Sequence, residues 1–327
     1  MIYTDTMERS LSKTNVVFGA TGALGAAVVR RLADQGETVR AVVRDLDLAK
    51  EILPPSAGIV VADVLVPKKA RAACEGATIV YHCVNVRYSL WEKLMPTITD
   101  NILDAAGKAG ARLVFPGNVY GYGPFQRIPA TEEHPLDATS KKGRLRNRLE
   151  QRLMQAHQAG DVPVVIPRLP DFYGPNVVNP LVGPIFRQAL AGKTATWPGS
   201  LDALHDLLFI DDAANACVLL GSRKDAYGEV WHVPGAGPLT GRQFLEMVFH
   251  AAGAPPSIKA IGRFLFRFFG LLIPDAGEMT EILYQFEKPM VLDGGKFSRA
   301  FPDFRYTPHE EAVAATLEWF RREEASR

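Results

Sequence analysis

The sequence predicts an α/β fold in which a parallel sheet is wound by helices on both faces. Three observations predict it. Short β-rich runs alternate with helix-periodic stretches through the first half of the 327-residue chain, and parallel strands joined by crossover helices produce that alternation. A glycine run, Gly19-Ala20-Thr21-Gly22-Ala23-Leu24-Gly25, stands between the first β-rich run and the first helical stretch. The composition, 47% hydrophobic and 22% charged, is that of an ordinary globular protein, and the length suits one large domain or two interleaved ones.

The elements follow in order. Residues 15–18 form a first strand, and residues 23–35 carry helical periodicity that Gly36 stops. Strands are expected over 39–43 and 59–62, the latter ending at Asp63. A helix over 68–75, a strand over 78–83, a helix over about 91–109 and a strand over 112–115 come next. A basic helix over about 141–158 leads to a sixth strand at 162–166. From Pro170 onward the pattern loosens into Pro- and Gly-rich chain, with regular structure returning at 206–212 and 229–233 and a largely helical, aromatic stretch at 241–290. This organisation predicts a nucleotide-binding domain of residues 13–169 plus about 203–232. A smaller, discontinuous substrate lobe takes about 170–202 plus 233–327.

Bulk properties exclude several function classes. The net charge of +1 provides no global attraction for nucleic acid or an anionic membrane. Lys141, Lys142, Arg144, Arg146 and Arg148 crowd one helix, but Leu145, Leu149 and Leu153 recur at i,i+4 and mark an apolar face for the sheet. A single basic helix in a near-neutral chain does not make a nucleic-acid reader. Three cysteines, Cys74, Cys83 and Cys217, lie far apart without a Cys-x-x-Cys. That pattern argues against a disulfide framework or zinc site and suits a reducing, cytoplasmic setting. His82 reads as a core residue of a central strand; His134 and His205 fall in loops, and no His or carboxylate cluster suggests a metal. The N-terminal MIYTDTMERSLSK reads as a frayed extension, not a targeting signal. The apolar stretch at 264–273 is interrupted by Arg267 and is too short for a bilayer, which takes roughly 20 residues.

A strand, a glycine turn and a helix N-terminus together make an anion site, because the backbone can approach a pyrophosphate and the helix dipole favours its charge. Gly19, Thr21, Gly22, Ala23, Leu24 and Gly25 are therefore candidate cofactor contacts, and the fold expected is a Rossmann-type doubly wound sheet. An enzyme using NAD(H) usually places a carboxylate after its second strand; here Val43 is followed by Arg44. A guanidinium pairs with a 2′-phosphate and accepts nothing from a ribose, so NADP(H) is favoured. NAD(H) is the alternative, with Arg44 solvated and Asp45 turned to the ribose. Asp63 is positioned either for the adenine amino group or as a turn residue.

With these residues in view, the chain resembles the extended short-chain dehydrogenase/reductase superfamily, the epimerase/dehydratase-like proteins. The resemblance runs nearly end to end: the glycine run, Asp63-Val64, Val80-Tyr81-His82-Cys83, Val119-Tyr120-Gly121, Arg168 through Tyr173-Gly174-Pro175, and His205 to Asp212. It implies cofactor contacts at Asp63, Val64 and Phe172, and a homodimer through two helices of the large lobe. Residues 40–45 (RAVVRD) are similar to the NADPH-using reductases of the superfamily.

The family's chemistry rests on a Ser/Thr that polarises a carbonyl, a Tyr that is the acid/base, and a Lys that lowers the Tyr pKa and binds the nicotinamide ribose. Here Pro116 falls at the hydroxyl position, with Asn118 the nearest donor, and no tyrosine lies between Tyr122 and Tyr173. Matching Glu150-Gln151 to the family's helix puts Lys142 at the tyrosine position and Arg146 at the lysine position; the other register puts Asp137 at the former. Lys142 and Arg146 share a helix face, and a cationic neighbour would depress the Lys142 pKa toward a useful proton donor. Arg146 is suited to the ribose, not to acid/base work. Tyr120 is a further donor or a structural loop tyrosine; Tyr284-x-x-x-Lys288 is read as chance.

The expected function is an NADP(H)-dependent reductase of an apolar carbonyl or enone. The apolar substrate is suggested by Tyr88, Trp91, Phe172 and Phe286 together with segment 264–273. A non-catalytic NADP(H)-binding redox sensor is the alternative. A redox-neutral epimerase or dehydratase is third, since that chemistry needs the tyrosine most.

Overall fold

The computed structural model describes residues 14–179, 181–262 and 280–325. The N-terminal extension and the apolar stretch at 264–273 lie outside the described residues.

Five strands, β1 (Thr14–Phe18), β2 (Thr38–Val43), β3 (Gly58–Val61), β4 (Ala77–His82) and β5 (Arg112–Val114), build the first part of the sheet. The short β6 (Gly117–Asn118), β7 (Val164–Leu169), β8 (Asp171–Tyr173) and β9 (Ala195–Pro198) follow, then β10 (Leu204–His205), β11 (Leu207–Phe209), β12 (Val230–His232), β13 (Leu239–Thr240) and β14 (Ile258–Ile261). The central sheet has the order β12-β7-β5-β4-β1-β2-β3, eight strands with β6, which pairs with β7. Every pairing in it is parallel. The order reverses direction at β1, with β2 on one side and β4 on the other. A crevice opens at the carboxyl ends of strands at such a switch point.

Helices cover both faces. α1 (Ala23–Asp34), α2 (Leu46–Ile52), α3 (Pro67–Cys74), α4 (Trp91–Lys108), α5 (Lys141–Gln158), α6 (Val182–Leu190), α7 (Ile210–Ser222) and α8 (Gly241–Ala252) precede a C-terminal helix, His309–Ala325. Alternate residues of β1 point to opposite faces. Val17 therefore joins the core beneath α1 and α7, and Val16 and Phe18 join the core beneath α3, α4 and α5. Leu145, Leu149 and Leu153 are buried in that second core as the periodicity predicts. Lys141, Arg144 and Arg148 on the same helix are exposed, whereas Lys142 and Arg146 are buried.

The predicted sixth strand differs most. It runs over Val164–Leu169, past Pro167, because Val162 and Pro163 still belong to the turn after α5. Its far side is filled by β12, which returns from the later chain to pair with it. Among the described residues of 241–290, a strand, β14, follows α8 and pairs in parallel with β9; residues 263–279 lie outside the described residues. Outside the sheet, α6, α8 and the C-terminal helix pack on one another.

One buried ion pair ties α5 to the sheet. The Arg168 guanidinium of β7 donates to Glu150 of α5, with side chains only 3% and 6% exposed, and it lies 4.5 Å from the centre of the Tyr122 ring. Removing one partner leaves an uncompensated buried charge, whereas removing both does not. Arg168→Met is therefore expected to cost about 3–5 kcal/mol in urea unfolding, and adding Glu150→Leu is expected to recover most of that loss. Equal stabilities of the single and double variants would contradict this account of the pair.

Candidate active site

A cleft of about 550 Å³ crosses the carboxyl ends of β1, β2, β4 and β7. Glycines make it. Gly19 has φ +74°, and a Cβ there would sit 2.7 Å from the Cys83 carbonyl oxygen. A Cβ on Gly25 would sit 2.2 Å from the Gly19 carbonyl oxygen. The turn is closed by Gly22 N donating to Gly19 O at 3.0 Å, and α1 starts at once, with Ala26 N donating to Gly22 O at 2.8 Å. No acidic side chain stands in the first turn of α1, so its backbone amides and dipole remain available to an anion.

Twelve of the sequence-predicted residues line this cleft: Gly19, Thr21, Gly22, Ala23, Leu24, Arg44, Asp63, Val64, Asn118, Tyr120, Arg146 and Phe172. Gly25 and Lys142 are not among its lining residues. Gly25 is the glycine that lets α1 rest on the loop beneath the cleft. Asp45 does not turn to the cleft. Its carboxylate caps α2, accepting from Asp47 N at 3.0 Å and Leu48 N at 3.1 Å. Arg44 therefore stands exposed at the cleft rim. Asp63 lines the cleft and also makes a turn, accepting from Leu65 N at 2.9 Å. These residues fit a nicotinamide dinucleotide: the glycine-loop amides suit a pyrophosphate, and Arg44 and Asp63 line the same cleft.

The inner half is aromatic and carries few charges. Arg146 is buried, lies 4.9 Å from the Phe115 ring centre and 5.5 Å from that of Trp91, and donates to Pro116 O at 2.8 Å. Burial lowers its pKa below the ordinary arginine value, yet a guanidinium stays charged in any protein setting. Its Nε is buried and finds no partner among the described residues. His82 is neutral. Burial first, and the Arg146 charge second, lower its pKa to about 3, and its Nε2 meets Thr99 Oγ1 at 3.2 Å. The Cys83 thiol is pushed up to about 12 by burial, so it is no thiolate nucleophile. Asn118 spends its carbonyl on Tyr120 N at 3.1 Å, capping the turn that follows β6.

Lys142 has a different environment from the one the sequence suggests. Its ammonium is 3% exposed and pairs with Glu281 at 3.0 Å. Glu281 also accepts from Lys141 N at 2.8 Å and Lys142 N at 3.1 Å, capping α5. Glu281 escaped the sequence reading: it is 139 positions from Lys142, so no local pattern reveals it. Asp171 lines the cleft and meets His205 Nε2 at 3.1 Å; the two lie in separate segments of the resemblance, and only the fold brings them together. Tyr88, read from the sequence as part of an apolar wall, meets Tyr120 hydroxyl to hydroxyl at 2.7 Å.

Burial pushes the Glu281 carboxyl up, but the bonds from Lys142 Nζ and the two amides outweigh it and hold the group below its ordinary value. A depressed carboxyl contributes stability that is present above its unfolded pKa, about 4.3, and is lost as pH falls through the folded value. Glu281→Gln is expected to cost about 1–3 kcal/mol at pH 7, and the gap to wild type should close as pH drops below about 4. An equal gap in acid and at neutrality, read by urea unfolding, would contradict this.

The comparisons with known proteins follow from this geometry. A family model described as NAD dependent epimerase/dehydratase family matches residues 15–233. A 3-diazoavenalumate denitrifying reductase from a Streptomyces species is 28% identical over 256 residues, covering 74% of this chain and 82% of that protein. Two solved structures share the fold. WbmH of Bordetella bronchiseptica in complex with NAD+ aligns with a TM-score of 0.74 at 20% identity, over 95% of this chain and 99% of its own. A dTDP-glucose 4,6-dehydratase of Bacillus anthracis in complex with NAD aligns with a TM-score of 0.80 at 16% identity, over 96% and 98%. No helix among the described residues is long and apolar enough to cross a membrane.

Proposed function

The chain belongs to the NAD dependent epimerase/dehydratase family, and on that premise we propose that it is an NADP(H)-dependent reductase of an apolar carbonyl or enone. One observation carries the cofactor choice. The acidic residue after β2, Asp45, is committed to capping α2, while Arg44 stands at the cleft rim. A guanidinium there favours a 2′-phosphate and disfavours a bare ribose. The relative named as a reductase supports the redox class. The aromatic inner cleft, with Tyr88, Trp91, Tyr120 and Phe286 on its walls, supports an apolar substrate.

In this reading the nicotinamide cofactor supplies the hydride. The protein binds the phosphates on α1, orients the ribose with Arg146, and excludes water with the aromatic wall. Asn118 and Tyr120 are candidate donors to the substrate oxygen. Lys142 is assigned to anchoring α5 through Glu281, a positioning role in place of proton donation.

A non-catalytic NADP(H) sensor is the second reading. The Lys142–Glu281 pair favours it, because that pair withdraws the one amine on the reactive face of α5. An epimerase or dehydratase role ranks third, since α5 carries no tyrosine for reversible proton transfer.

Calorimetric titration with NADPH, NADP+, NADH and NAD+, followed by an NADPH-oxidation screen over apolar aldehydes, ketones and enones, tests these readings. Tight NADPH binding with turnover supports the reductase; tight binding with no turnover supports the sensor; tighter NADH than NADPH binding contradicts the cofactor assignment. Arg44→Glu is expected to weaken NADP(H) on the order of ten- to a hundredfold and to leave NAD(H) within about threefold. Equal losses for both cofactors would remove Arg44 from phosphate recognition.

A further inference from the structure

Helix α5 offers Lys142 and Arg146 where the resemblance expects a tyrosine and a lysine, and the amine of Lys142 is already engaged by Glu281. The hydroxyl that this face lacks stands on a neighbouring element. The 3-10 turn Tyr88–Leu90 that leads into α4 brings the Tyr88 ring to 5.5 Å from Lys142 Nζ. Trp91 meets the Tyr88 ring edge at 5.0 Å and stacks on Tyr120 at 6.1 Å. Tyr88 thus lies against Lys142 and Trp91 against Arg146, and the Tyr88 and Tyr120 hydroxyls meet at 2.7 Å. Trp91 Nε1 donates to Asn85 Oδ1 and Val86 O, both at 3.0 Å, which pins the turn and pre-organises the pair.

We propose that the Tyr88 hydroxyl, with Tyr120 as its hydrogen-bond donor, is the acid that protonates the reduced substrate in place of the tyrosine missing from α5. The proposal deepens the reductase reading and rests on it. Both tyrosines line the cleft, but Tyr88 is half-buried and Tyr120 is 6% exposed, so Tyr88 is the one a substrate reaches. Only one of the two hydroxyls can donate within the pair. With Tyr120 donating, the Tyr88 proton is free to point at a substrate oxygen.

Burial pushes Tyr88 up to about 12, while the Tyr120 bond and the Arg146 charge pull it down and the Asp171 carboxylate pushes it up. Burial pushes Tyr120 well above its ordinary value, and the charges of Tyr88 and Asp171 push it further. Lys142, the other cation facing the Tyr88 ring, is paired with Glu281. A phenol this weak stays protonated at neutral pH and surrenders its proton only to a strong base. The alkoxide that forms when a carbonyl is reduced is such a base. As the hydride carried by the nicotinamide forms the new C–H bond, the π pair of the substrate shifts onto oxygen. The Tyr88 O–H bond breaks, its proton goes to that oxygen, and the Tyr120 hydrogen bond stabilises the phenolate until water returns a proton.

The test has a binding arm and a turnover arm, so that failure of the reductase reading and failure of the Tyr88 assignment are separable. In the first, 4-nitrophenol is titrated by absorbance into the protein with saturating NADP+, as an analogue of the developing oxyanion. The expected result is binding as nitrophenolate with a lowered apparent pKa, and roughly a tenfold weaker affinity in Tyr88→Phe with NADP+ affinity unchanged. Tyr120→Phe is expected to weaken it less. Equal nitrophenolate binding by wild type and Tyr88→Phe, or no binding at all, would overturn the assignment. In the second arm, with any acceptor that wild type reduces, Tyr88→Phe is expected to lower kcat on the order of a hundredfold with KM and NADPH affinity held. Retention of kcat in that variant would also overturn it. If wild type reduces no acceptor, the reductase reading fails by itself, and the nitrophenol arm still decides whether Tyr88 and Tyr120 form an oxyanion-binding pair.

Discussion

Close backbone approach at two glycines is the constraint on which the cleft depends. β1 turns into α1 by passing so near the end of β4 that any side chain at Gly19 would strike the Cys83 carbonyl. α1 sits so near that turn that any side chain at Gly25 would strike Gly19 itself. Only this packing aims the first amides of α1 at the switch point of the sheet, where β2 and β4 diverge on either side of β1. Arg44 and Asp63 line that cleft, and so do Tyr88, Tyr120 and Arg146.

The chemistry is shaped by a second constraint, the low polarity of the inner half. A buried lysine must have a partner, and Lys142 has Glu281, which also closes the start of α5. That carboxylate belongs to the described segment that also contributes Ile282 and Phe286 to the cleft wall. Anchoring the helix and covering the cleft are one structural event, so a change at Glu281 is felt both in stability and at the mouth of the site. Arg146, by contrast, has rings on two sides and one carbonyl to bond, and its charge adds to the burial that keeps His82 neutral.

What was legible in the sequence is what depends on near neighbours. The glycine run, the stop at Gly36 and the leucine stripe of α5 report local geometry, and the structure realises them as a turn, a helix end and a buried face. The shared face of Lys142 and Arg146 was also legible, as i,i+4 spacing dictates. The partners of these residues were not. Glu281 reaches Lys142 across 139 positions and Tyr88 reaches Tyr120 across 32, and both meetings exist only once the sheet order is set. The strand at Val164–Leu169 was misjudged at its ends for the same reason, because its far edge is completed by β12 from the later chain.

A crystal structure of the protein with NADP+ bound tests the central claim most directly, that this cleft holds a 2′-phosphorylated dinucleotide with its reactive ring beside a hydroxyl from outside α5. The account predicts the 2′-phosphate against Arg44, the pyrophosphate over the amides of Gly22 to Leu24, and the nicotinamide facing the Tyr88–Tyr120 pair. A 2′-phosphate directed away from Arg44, or a nicotinamide that leaves Tyr88 and Tyr120 behind a closed wall, would contradict it.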